Sequence, residues 1–539
     1  MITLKNLSFK YHASQPSVLN NINLHISSGE KVLIVGKNGA GKSTLSKTLA
    51  GLVHGHERGE MFGEYIFEGS AIGALSRKEI SRKIAVLFQD FETQLVCSSV
   101  KEELLFYLMN LGADYVEALA KAKKTAQRFG VNHLFDRDIH ELSGGEKQKI
   151  ALLSLLTISP KLLILDEPFT DIEPATQKLL AQNIRSGACG ETIVLFEQVL
   201  DYYKYFNRII VMNKGAIAYD GDEGVIGDKS LLHGAGLAVP GIRGLFQGNN
   251  FAAYCEGLSF DESAYNRISV KEVHKKPACI EVKGLCFAYK GQSGAGDVIS
   301  NVNLSIPRGD FVVVLGPNGS GKTTLTKCIA GILKPTRGEV LYNGRKVKPG
   351  DIGYIYQNPD NQIFAETVYD EIAFSLRMRK TNETVVRDKV NAIMATMGLE
   401  DKLGLDPLAL PKGDRQKVAC ASILVAEPEV IILDEPTTGL DFPSLLEMMK
   451  IIKDLNVRGK TILMITHSME TAASFGATAL ALKDGAMTFS GPIRDFFTDE
   501  NKLKESKTER TEIMDLSLKL NGKLLLKGDE FIRCWRENP

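Results

Sequence analysis

The sequence contains two copies of one long pattern, and this duplication limits what the chain can fold into. HELSGGEKQK at 140–149 and LALPKGDRQK at 408–417 each precede an apolar run that ends in Asp-Glu-Pro. The two stretches start 268 positions apart, and so do Asp166 and Asp434 in the Asp-Glu-Pro segments. Because 539 residues exceed what one hydrophobic core usually holds, the duplication predicts two similar domains.

Near the start of each copy, a β-branched run leads into a glycine-rich loop and then a helical pattern. The loops are GKNGAGKS at 36–43 and GPNGSGKT at 316–323. In this pattern small residues let backbone N–H groups surround phosphate oxygens, the lysine reaches the β- and γ-phosphates, and the next hydroxyl contacts Mg²⁺. A chance glycine turn explains one match, but not two in the same strand-loop-helix context. The predicted ATP-binding residues are Gly36, Asn38, Gly39, Gly41, Lys42, Ser43, Thr44, Gly316, Asn318, Gly319, Gly321, Lys322, Thr323 and Thr324, with Ser43 and Thr323 also as metal ligands.

The runs LLILDEP and VIILDEP predict a fully buried strand in each copy, with acidic residues at its carboxyl end. Ligands of open α/β sheets bind at that edge. Asp166 and Asp434 are therefore predicted Mg²⁺ ligands, and Glu167 and Glu435 are candidates to activate the attacking water. Taken alone, such an acid before proline is more often a helix cap or a turn residue. The upstream phosphate loops favour the catalytic interpretation.

With LSGGE at 142–146 and the intervening glutamines Gln89 and Gln357, the chain resembles a tandem ATP-binding cassette (ABC) protein. The resemblance implies an α/β fold with two P-loop NTPase (ABC ATPase) domains. Each domain would have a mainly parallel sheet core, an antiparallel β subdomain and a helical subdomain. The family pairs these domains as a head-to-tail pseudo-dimer, so each ATP would lie between one domain's phosphate loop and the other's signature.

Four segments are predicted from this alignment of the two copies. The first nucleotide-binding domain covers 1–222 and the second covers 279–495. A glycine-rich connector occupies 223–278, and an appendage of unassigned role occupies 496–539.

The signature is intact in the first copy only. There the resemblance implies that Ser143, Gly144 and Gly145 present a hydroxyl and N–H groups to the γ-phosphate. In the later copy Pro411 has neither group, and Lys412 places a bulky side chain where close approach is needed. Loss of one or two charge-assisted hydrogen bonds, at about 1.5–3 kcal/mol each, weakens transition-state binding by roughly ten- to ten-thousand-fold. Alternatively, the charge of Lys412 compensates in part.

The residue after the late apolar strand also differs between the copies. His467 in TILMITHSME matches the family's switch histidine, which senses the γ-phosphate, whereas the aligned TIVLFEQVLD has Gln198. An amide still donates a hydrogen bond, but it cannot become a cation or relay a proton. A histidine after a strand is by itself more often structural. Its place after a phosphate loop and an acidic strand favours a catalytic role.

Both changes fall on the same predicted nucleotide site. The Lys42 site would combine the Pro411 signature with Gln198, and the Lys322 site would combine the intact signature with His467. The sequence therefore predicts one competent and one degenerate site. Glu435 is the expected principal base. Glu167 is chemically suitable, but its site has Gln198 and the Pro411 signature in place of a histidine and an intact signature.

Two further pairs of residues take roles from the resemblance. Tyr11 and Tyr289 occupy the place where the family stacks an aromatic ring on adenine, although a strand tyrosine is ordinarily a packing residue. Gln89 and Gln357 would contact both ATP and Mg²⁺ and respond to movement of a membrane partner.

The stretch QNPDNQIFAETVYDEIAF at 357–374 resembles the cassettes of energy-coupling factor importers, which take up vitamins and cobalt or nickel ions, and 89–106 is a looser version. This implies two partners, an integral membrane coupling subunit and a small substrate-binding membrane subunit. The chain would then be peripheral, at the cytoplasmic face of the cell membrane. An ordinary polar loop before an amphipathic helix is the alternative interpretation of this stretch.

The amino-acid composition helps to distinguish a transport ATPase from a protein that acts on nucleic acid. The 65 basic and 65 acidic residues give no net field to attract nucleic acid, and no nucleic-acid partner is expected. A soluble tandem cassette acting on ribosomes or in DNA repair remains the alternative, although no long charged linker is evident. The eight cysteines are scattered without a CxxC pair, which favours a reducing cytosol, and no stretch reaches 18 uninterrupted apolar residues.

Overall fold

Each half of the duplication folds as a compact unit of its own. A computed structural model describes residues 1–12, 14, 16–53, 59–142, 144–169, 174–187, 192–239, 241, 258–269, 277–289 and 297–537. The first unit comprises Met1–Ile172 and Thr176–Asn249, and the second comprises Asn250–Pro539 with Glu173–Ala175.

The first unit is built on two sheets. Its strands are β1 (Ile2–Lys10), β2 (Leu19–Ile26), β3 (Lys31–Val35), β4 (Glu60–Phe67), β5 (Ser70–Ala71), β6 (Ile84–Leu87), β7 (Leu162–Asp166), β8 (Thr192–Glu197), β9 (Arg208–Asn213) and β10 (Ala216–Gly221). Its helices are α1 (Lys42–Leu49), α2 (Arg77–Lys83), α3 (Val100–Asn110), α4 (Tyr115–Arg128), α5 (Gly144–Leu156), α6 (Pro174–Arg185) and α7 (Lys229–Gly234). The core sheet has the order β10-β9-β3-β8-β7-β6 and is parallel except for β10, and an antiparallel sheet has the order β2-β1-β4-β5.

The second unit repeats this plan. Its strands are β11 (Leu258–Phe260), β12 (Ala278–Phe287), β13 (Ile299–Pro307), β14 (Phe311–Leu315), β15 (Arg337–Tyr342), β16 (Arg345–Lys346), β17 (Gly353–Ile355), β18 (Val430–Asp434), β19 (Thr461–Ile465), β20 (Thr478–Lys483), β21 (Ala486–Pro492) and β22 (Trp535–Glu537). Its helices are α8 (Glu262–Ser269), α9 (Lys322–Ile329), α10 (Val368–Met378), α11 (Glu383–Met397), α12 (Lys412–Leu424), α13 (Phe442–Val457), α14 (Met469–Phe475), α15 (Ile493–Thr498), α16 (Glu500–Glu505), α17 (Glu512–Asn521) and α18 (Gly528–Cys534). The core order β17-β18-β19-β14-β20-β21 is parallel except for β21, and β13-β12-β15-β16 is antiparallel.

The predicted fold class is confirmed in both units. Strands β7 and β18 are buried at every residue because helices and the second sheet cover both faces of the core sheet. The helices α3, α4 and α5 form a helical subdomain with its own core, which includes Val100, Leu104 and Ile150. The head-to-tail arrangement of the two units stays a prediction.

The predicted connector, 223–278, contributes structure to both units. Val225, Ile226 and Leu232 are buried in the core of the first unit. Strand β11 instead pairs antiparallel with β22, the last described strand of the predicted appendage. The sequence did not reveal these buried residues or strand β11. Both are short segments in a glycine-rich stretch, and they are too short to show the repeating apolar pattern of a helix or strand.

An ion pair and an aromatic cluster attach the appendage to the preceding segments of the second unit. Arg494 donates two hydrogen bonds of 2.9 Å to Glu530, and both side chains are largely buried. The ring of Trp535 lies 5.1 Å from Phe260 and 5.9 Å from Phe531. Since Trp535 is the single tryptophan of the chain, its fluorescence reports on this region.

Replacing Arg494 with alanine should destabilise the second unit, because Glu530 would be left buried and without its cation. We expect a loss of about 3–5 kcal/mol in the free energy of unfolding. The measurement is urea unfolding followed by Trp535 fluorescence. The control is Arg337→Ala, which breaks an exposed pair with Asp297 and should cost less than about 1 kcal/mol. Equal midpoints for the two variants would contradict the prediction.

Candidate functional site

The lysine of each phosphate loop is already fixed by the loop itself. Lys42 Nζ donates to the carbonyl of Gly36 at 2.7 Å, and Lys322 Nζ donates to that of Gly316 at 2.9 Å. Both lysines are buried. Each unit therefore holds a buried lysine at the carboxyl end of its central strand, β3 or β14, and its contact with the β- and γ-phosphates stays a prediction.

Two glycines of the second loop are required by its geometry. Gly321 caps helix α9 with φ of 94°, a left-handed conformation that favours glycine. At Gly316, with φ of 143°, a Cβ would lie 2.2 Å from the carbonyl oxygen of Leu482. The first loop shares the positive φ at Gly39 and Gly41 but not the one at Gly316, because Gly36 does not have a positive φ. The remaining predicted loop residues occupy the turn and the first turn of the helix: Asn38, Gly39, Gly41, Ser43, Thr44, Asn318, Gly319, Thr323 and Thr324.

In the second unit, both oxygens of Asp434 have a partner. Thr323 Oγ1 donates to Oδ1 at 3.2 Å, and the hydroxyl of Tyr354 donates to Oδ2 at 2.9 Å. Burial raises the pKa of Asp434, and the two hydrogen bonds partly offset this. The predicted metal ligand therefore lies beside the loop hydroxyl with which it would share the ion.

The next residue, Glu435, is held by three side chains. It adopts φ of 49°, an uncommon conformation for a non-glycine residue, and its N–H donates to the carbonyl of Ile465. His467 Nε2 lies 3.0 Å from Oε1, while Gln357 Nε2 and Thr438 Oγ1 lie 3.3 Å from Oε2. Burial acts to raise the pKa of Glu435, but the hydrogen bond and charge of His467 bring it below its usual value. These contacts hold the Glu435 carboxylate next to the phosphate loop, in a place where a general base is needed.

Glu167 has the same backbone conformation in the first unit but different partners. Its φ is 51°, and its carboxylate accepts from Gln198 Nε2 and Gln89 Nε2, each at 2.7 Å. Lys42 Nζ lies 3.8 Å away. The structure therefore places three of the predicted residues of the first unit around this acid. Two amides stand where Glu435 has an imidazole and an amide.

Asp166 differs from Asp434 in its surroundings. Its Oδ1 is buried and has no hydrogen-bond partner among the described residues. Burial and the neighbouring charge of Glu167 raise the pKa of Asp166 to about 6. An unsatisfied buried carboxylate oxygen next to a phosphate loop fits a divalent cation, which prefers oxygen ligands. Both acidic strands thus offer donors suited to Mg²⁺.

The signature segments also differ in the structure. Ser143 lies outside the described residues, and Gly144 and Gly145 begin α5 with open space where a side chain would project. Pro411 precedes α12 and makes no capping hydrogen bond. The side chain of Lys412 covers Gly439 of the same unit. A Cβ added at Gly439 would lie 2.4 Å from Lys412 Nζ.

Each predicted adenine-stacking tyrosine lies against its own phosphate loop. Tyr11 OH is 3.2 Å from Thr44 Oγ1, and Tyr289 OH is 3.3 Å from Thr324 Oγ1. Tyr289 is also half exposed, at 46%. These positions are compatible with stacking, which stays a prediction.

Three residues near the acids were missed by the sequence reasoning: Tyr354, Thr438 and Glu197. Glu197 ends β8 and is buried, and burial together with the charge of Glu167 raises its pKa well above the usual value. Comparing the two copies gives the signal that was available, because Tyr354 aligns with Val86, and Glu197 aligns with Thr466.

Comparison with known proteins fits this geometry. The sequence profile described as "ABC transporter" matches residues 19–170 and 299–438. A protein named as an ABC transporter ATP-binding protein in Caldanaerobacter subterraneus subsp. tengcongensis is 36% identical over 99% of this chain and 98% of its own length. The chain belongs to the ABC transporter ATP-binding family.

Other members and a solved structure extend the comparison. An ABC transporter ATP-binding protein of Methanosarcina acetivorans is 31% identical to this ABC protein over 93% of the chain and 87% of its own length. The structure of cbiO1 from Clostridium perfringens, described as part of the ABC transporter complex cbiONQ, is 30% identical. It covers 42% of this chain and 93% of its own, with a TM-score of 0.38. Within the described part of this ABC protein, no helix is long and apolar enough to cross a membrane.

Replacing Glu197 with glutamine should stabilise the first unit of this ABC protein in a pH-dependent manner. In the folded protein the pKa of Glu197 lies above its usual value of 4.5. At a pH between 4.5 and the folded-state pKa, unfolding therefore releases the proton that Glu197 holds. The carboxyl group's contribution to stability therefore falls as pH rises through that window, and the amide removes this loss. Calorimetric melting temperatures of Glu197→Gln and wild type should be similar near pH 4.5 and should diverge as the pH is raised to neutrality.

The control is Glu64→Gln, which changes an exposed acid of the same unit. Its effect on the melting temperature should be small at both pH values. A Glu197→Gln difference that is constant with pH would show that this carboxyl group is not destabilised by burial.

Proposed function

We propose that this ABC protein hydrolyses ATP with Mg²⁺ and drives uptake of a vitamin or metal ion through separate membrane subunits. It would act as the peripheral energy-coupling ATPase of an importer, at the cytoplasmic face of the membrane. The observation that carries this proposal is an apolar receiving surface located directly beyond each predicted site glutamine.

In the first unit this surface is a groove of about 730 Å³. Phe88, which precedes Gln89, lines it together with Phe106 and Tyr107 of helix α3 and Ile80 of helix α2. A groove with aromatic walls suits a short amphipathic helix from a membrane partner.

In the second unit the aligned region presents exposed apolar side chains. Phe364 and Met378 are 63% and 68% exposed, and the ring of Phe374 packs edge to face on Phe364 at 4.7 Å. Soluble proteins seldom leave such a cluster uncovered, so it supports a docking role. The alignment of Phe374 with Phe106 gives both units an apolar surface at the same place in the fold.

The chemistry proposed for the Lys322 site follows from its hydrogen bonds. Lys322 would contact the β- and γ-phosphates, and Glu435 would accept the proton of the attacking water. His467 and Gln357 hold that carboxylate in place before substrate arrives. Mg²⁺, held by Thr323, Gln357 and Asp434, would supply the positive charge that neutralises the phosphates.

The Lys42 site has the same kinds of metal-binding and acidic residues as the Lys322 site, but its catalytic groups are less suited to proton transfer. Ser43, Gln89 and Asp166 would hold its Mg²⁺, and Glu167 is the acid next to the phosphate loop. Glu167 is, however, bound by two amides where Glu435 has an imidazole, and an amide can neither become a cation nor relay a proton. We infer that this site mainly binds nucleotide.

Replacing Glu435 with glutamine should reduce steady-state phosphate release by at least about 100-fold, because the general base is lost. The matched change Glu167→Gln should reduce it by less than about threefold if the Lys42 site mainly binds. Both variants are measured in the assembled membrane complex. Equal losses would contradict the assignment of unequal sites.

Affinity purification of the tagged chain from detergent-solubilised membranes tests the transport proposal. A hydrophobic coupling subunit should copurify, and the double change Phe364→Ser and Phe374→Ser should reduce its recovery at least about tenfold by removing apolar contact area. Val457→Ser, at a site 77% exposed on α13, is the control for loss of an exposed apolar side chain. The rate of ATP hydrolysis by each purified variant, compared with that of wild type, checks that the variants are folded.

The alternative is a soluble tandem ABC ATPase acting on ribosomes or in DNA repair. Copurification of ribosomal RNA or DNA-repair proteins, with no integral membrane protein, would favour that alternative and refute the importer proposal. The balanced charge of the chain gives it no general attraction for nucleic acid.

A further inference from the structure

We propose that Tyr354 is a positioning residue for the metal-binding carboxylate Asp434, and that its replacement by Val86 in the first unit makes the two sites unequal in divalent-cation affinity. This inference rests on the proposed Mg²⁺-ATP sites but not on transport or on any partner. It adds an inequality in cation binding to the proposed inequality in catalysis.

Tyr354, the middle residue of strand β17, contacts the metal-binding acid through its hydroxyl, which lies 2.9 Å from Asp434 Oδ2. A tyrosine has one hydroxyl proton, and Tyr354 donates it to Asp434. Thr326 Oγ1 lies 3.3 Å from the same hydroxyl and donates its own proton to the carbonyls of Lys322 and Thr323.

The effect on Asp434 is to fix the plane of its carboxylate. Oδ2 is held by Tyr354, and Oδ1 points to Thr323, the hydroxyl residue that follows the loop lysine. A ligand oriented in this way loses less freedom when an ion binds. Partners that hydrogen-bond to a metal ligand typically change metal affinity by roughly 10- to 100-fold.

The first unit contains the natural counterexample. Val86 aligns with Tyr354 and has no hydroxyl, and Ser46 aligns with Thr326. Asp166, the counterpart of Asp434, has a buried Oδ1 with no partner in the described part of the chain. The same strand end is therefore present in both units, but the settings of the two aspartates differ in two ways. Asp166 has no counterpart of the tyrosine hydroxyl that binds Oδ2 of Asp434, and its Oδ1 lacks the hydrogen bond that Thr323 donates to Asp434.

The experiment measures Mn²⁺ binding by electron paramagnetic resonance in the presence of ATP, using Mn²⁺ as the probe for the Mg²⁺ position. The full chain carries Lys42→Ala so that the Lys322 site dominates binding. Tyr354→Phe should weaken Mn²⁺ binding by about tenfold or more, because the ring is kept and one hydrogen bond to a metal ligand is lost. ATP affinity in EDTA should change by less than about twofold, since no phosphate contact is altered.

Two further variants make the result specific. Tyr356→Phe removes a hydroxyl from the neighbouring ring, whose centroid is 4.9 Å from that of Tyr354, and should leave Mn²⁺ affinity unchanged. Val86→Tyr in a Lys322→Ala chain should tighten Mn²⁺ binding at the Lys42 site. The Val86→Tyr experiment tests the inference even if the Tyr354→Phe protein does not fold.

The outcomes separate this inference from the function on which it rests. If the Lys42→Ala chain with Tyr354 intact binds neither ATP nor Mn²⁺, the proposed function fails. If it binds both, and Tyr354→Phe binds Mn²⁺ equally well, the positioning role is overturned. Equal weakening of ATP binding with and without the metal shows a merely structural effect and also overturns it.

Discussion

Two adjacent carboxylates end a fully buried strand in each unit, and the surrounding structure is arranged to stabilise them. Asp434 and Glu435 point from one strand end into an environment where an uncompensated charge is costly. The left-handed backbone at Glu435 separates the two side chains, so that each has its own donors. The loop lysine and the donors from neighbouring segments compensate these charges only in part, since the pKa values of Asp434 and Asp166 are both raised.

The duplication preserves this constraint but satisfies it differently in the two units. Glu435 is held by an imidazole, which can change its charge, whereas Glu167 is held by amides, which cannot. Asp434 has two donors, and Asp166 retains an unpartnered oxygen. Identical backbone geometry therefore supports two chemically different settings, and these differences are the basis for proposing unequal work by the two sites.

One short segment of the second unit connects the chemistry to the proposed docking surface. Tyr354 contacts the metal-binding acid, Gln357 contacts the catalytic acid, and Phe364 lies exposed on the surface beyond them. Because these residues belong to one continuous stretch that includes and follows β17, the stretch links the two predicted site acids to the exposed surface through covalent structure and a few hydrogen bonds. This continuity gives the proposed coupling between hydrolysis and a membrane partner a physical route.

The sequence by itself determined the two α/β units, the phosphate loops and the acids, because these depend on local patterns: β-branched runs, obligatory glycines and carboxylates at strand ends. Comparing the copies also located the altered signature at Pro411 and the exchange of His467 for Gln198. Only the tertiary structure decided that Tyr354 reaches Asp434 and that β11 pairs with β22, because residues about 80 and 280 positions apart carry no periodic signal that links them. Such contacts arise when strand order brings distant segments together, and strand order is set by packing of the whole unit.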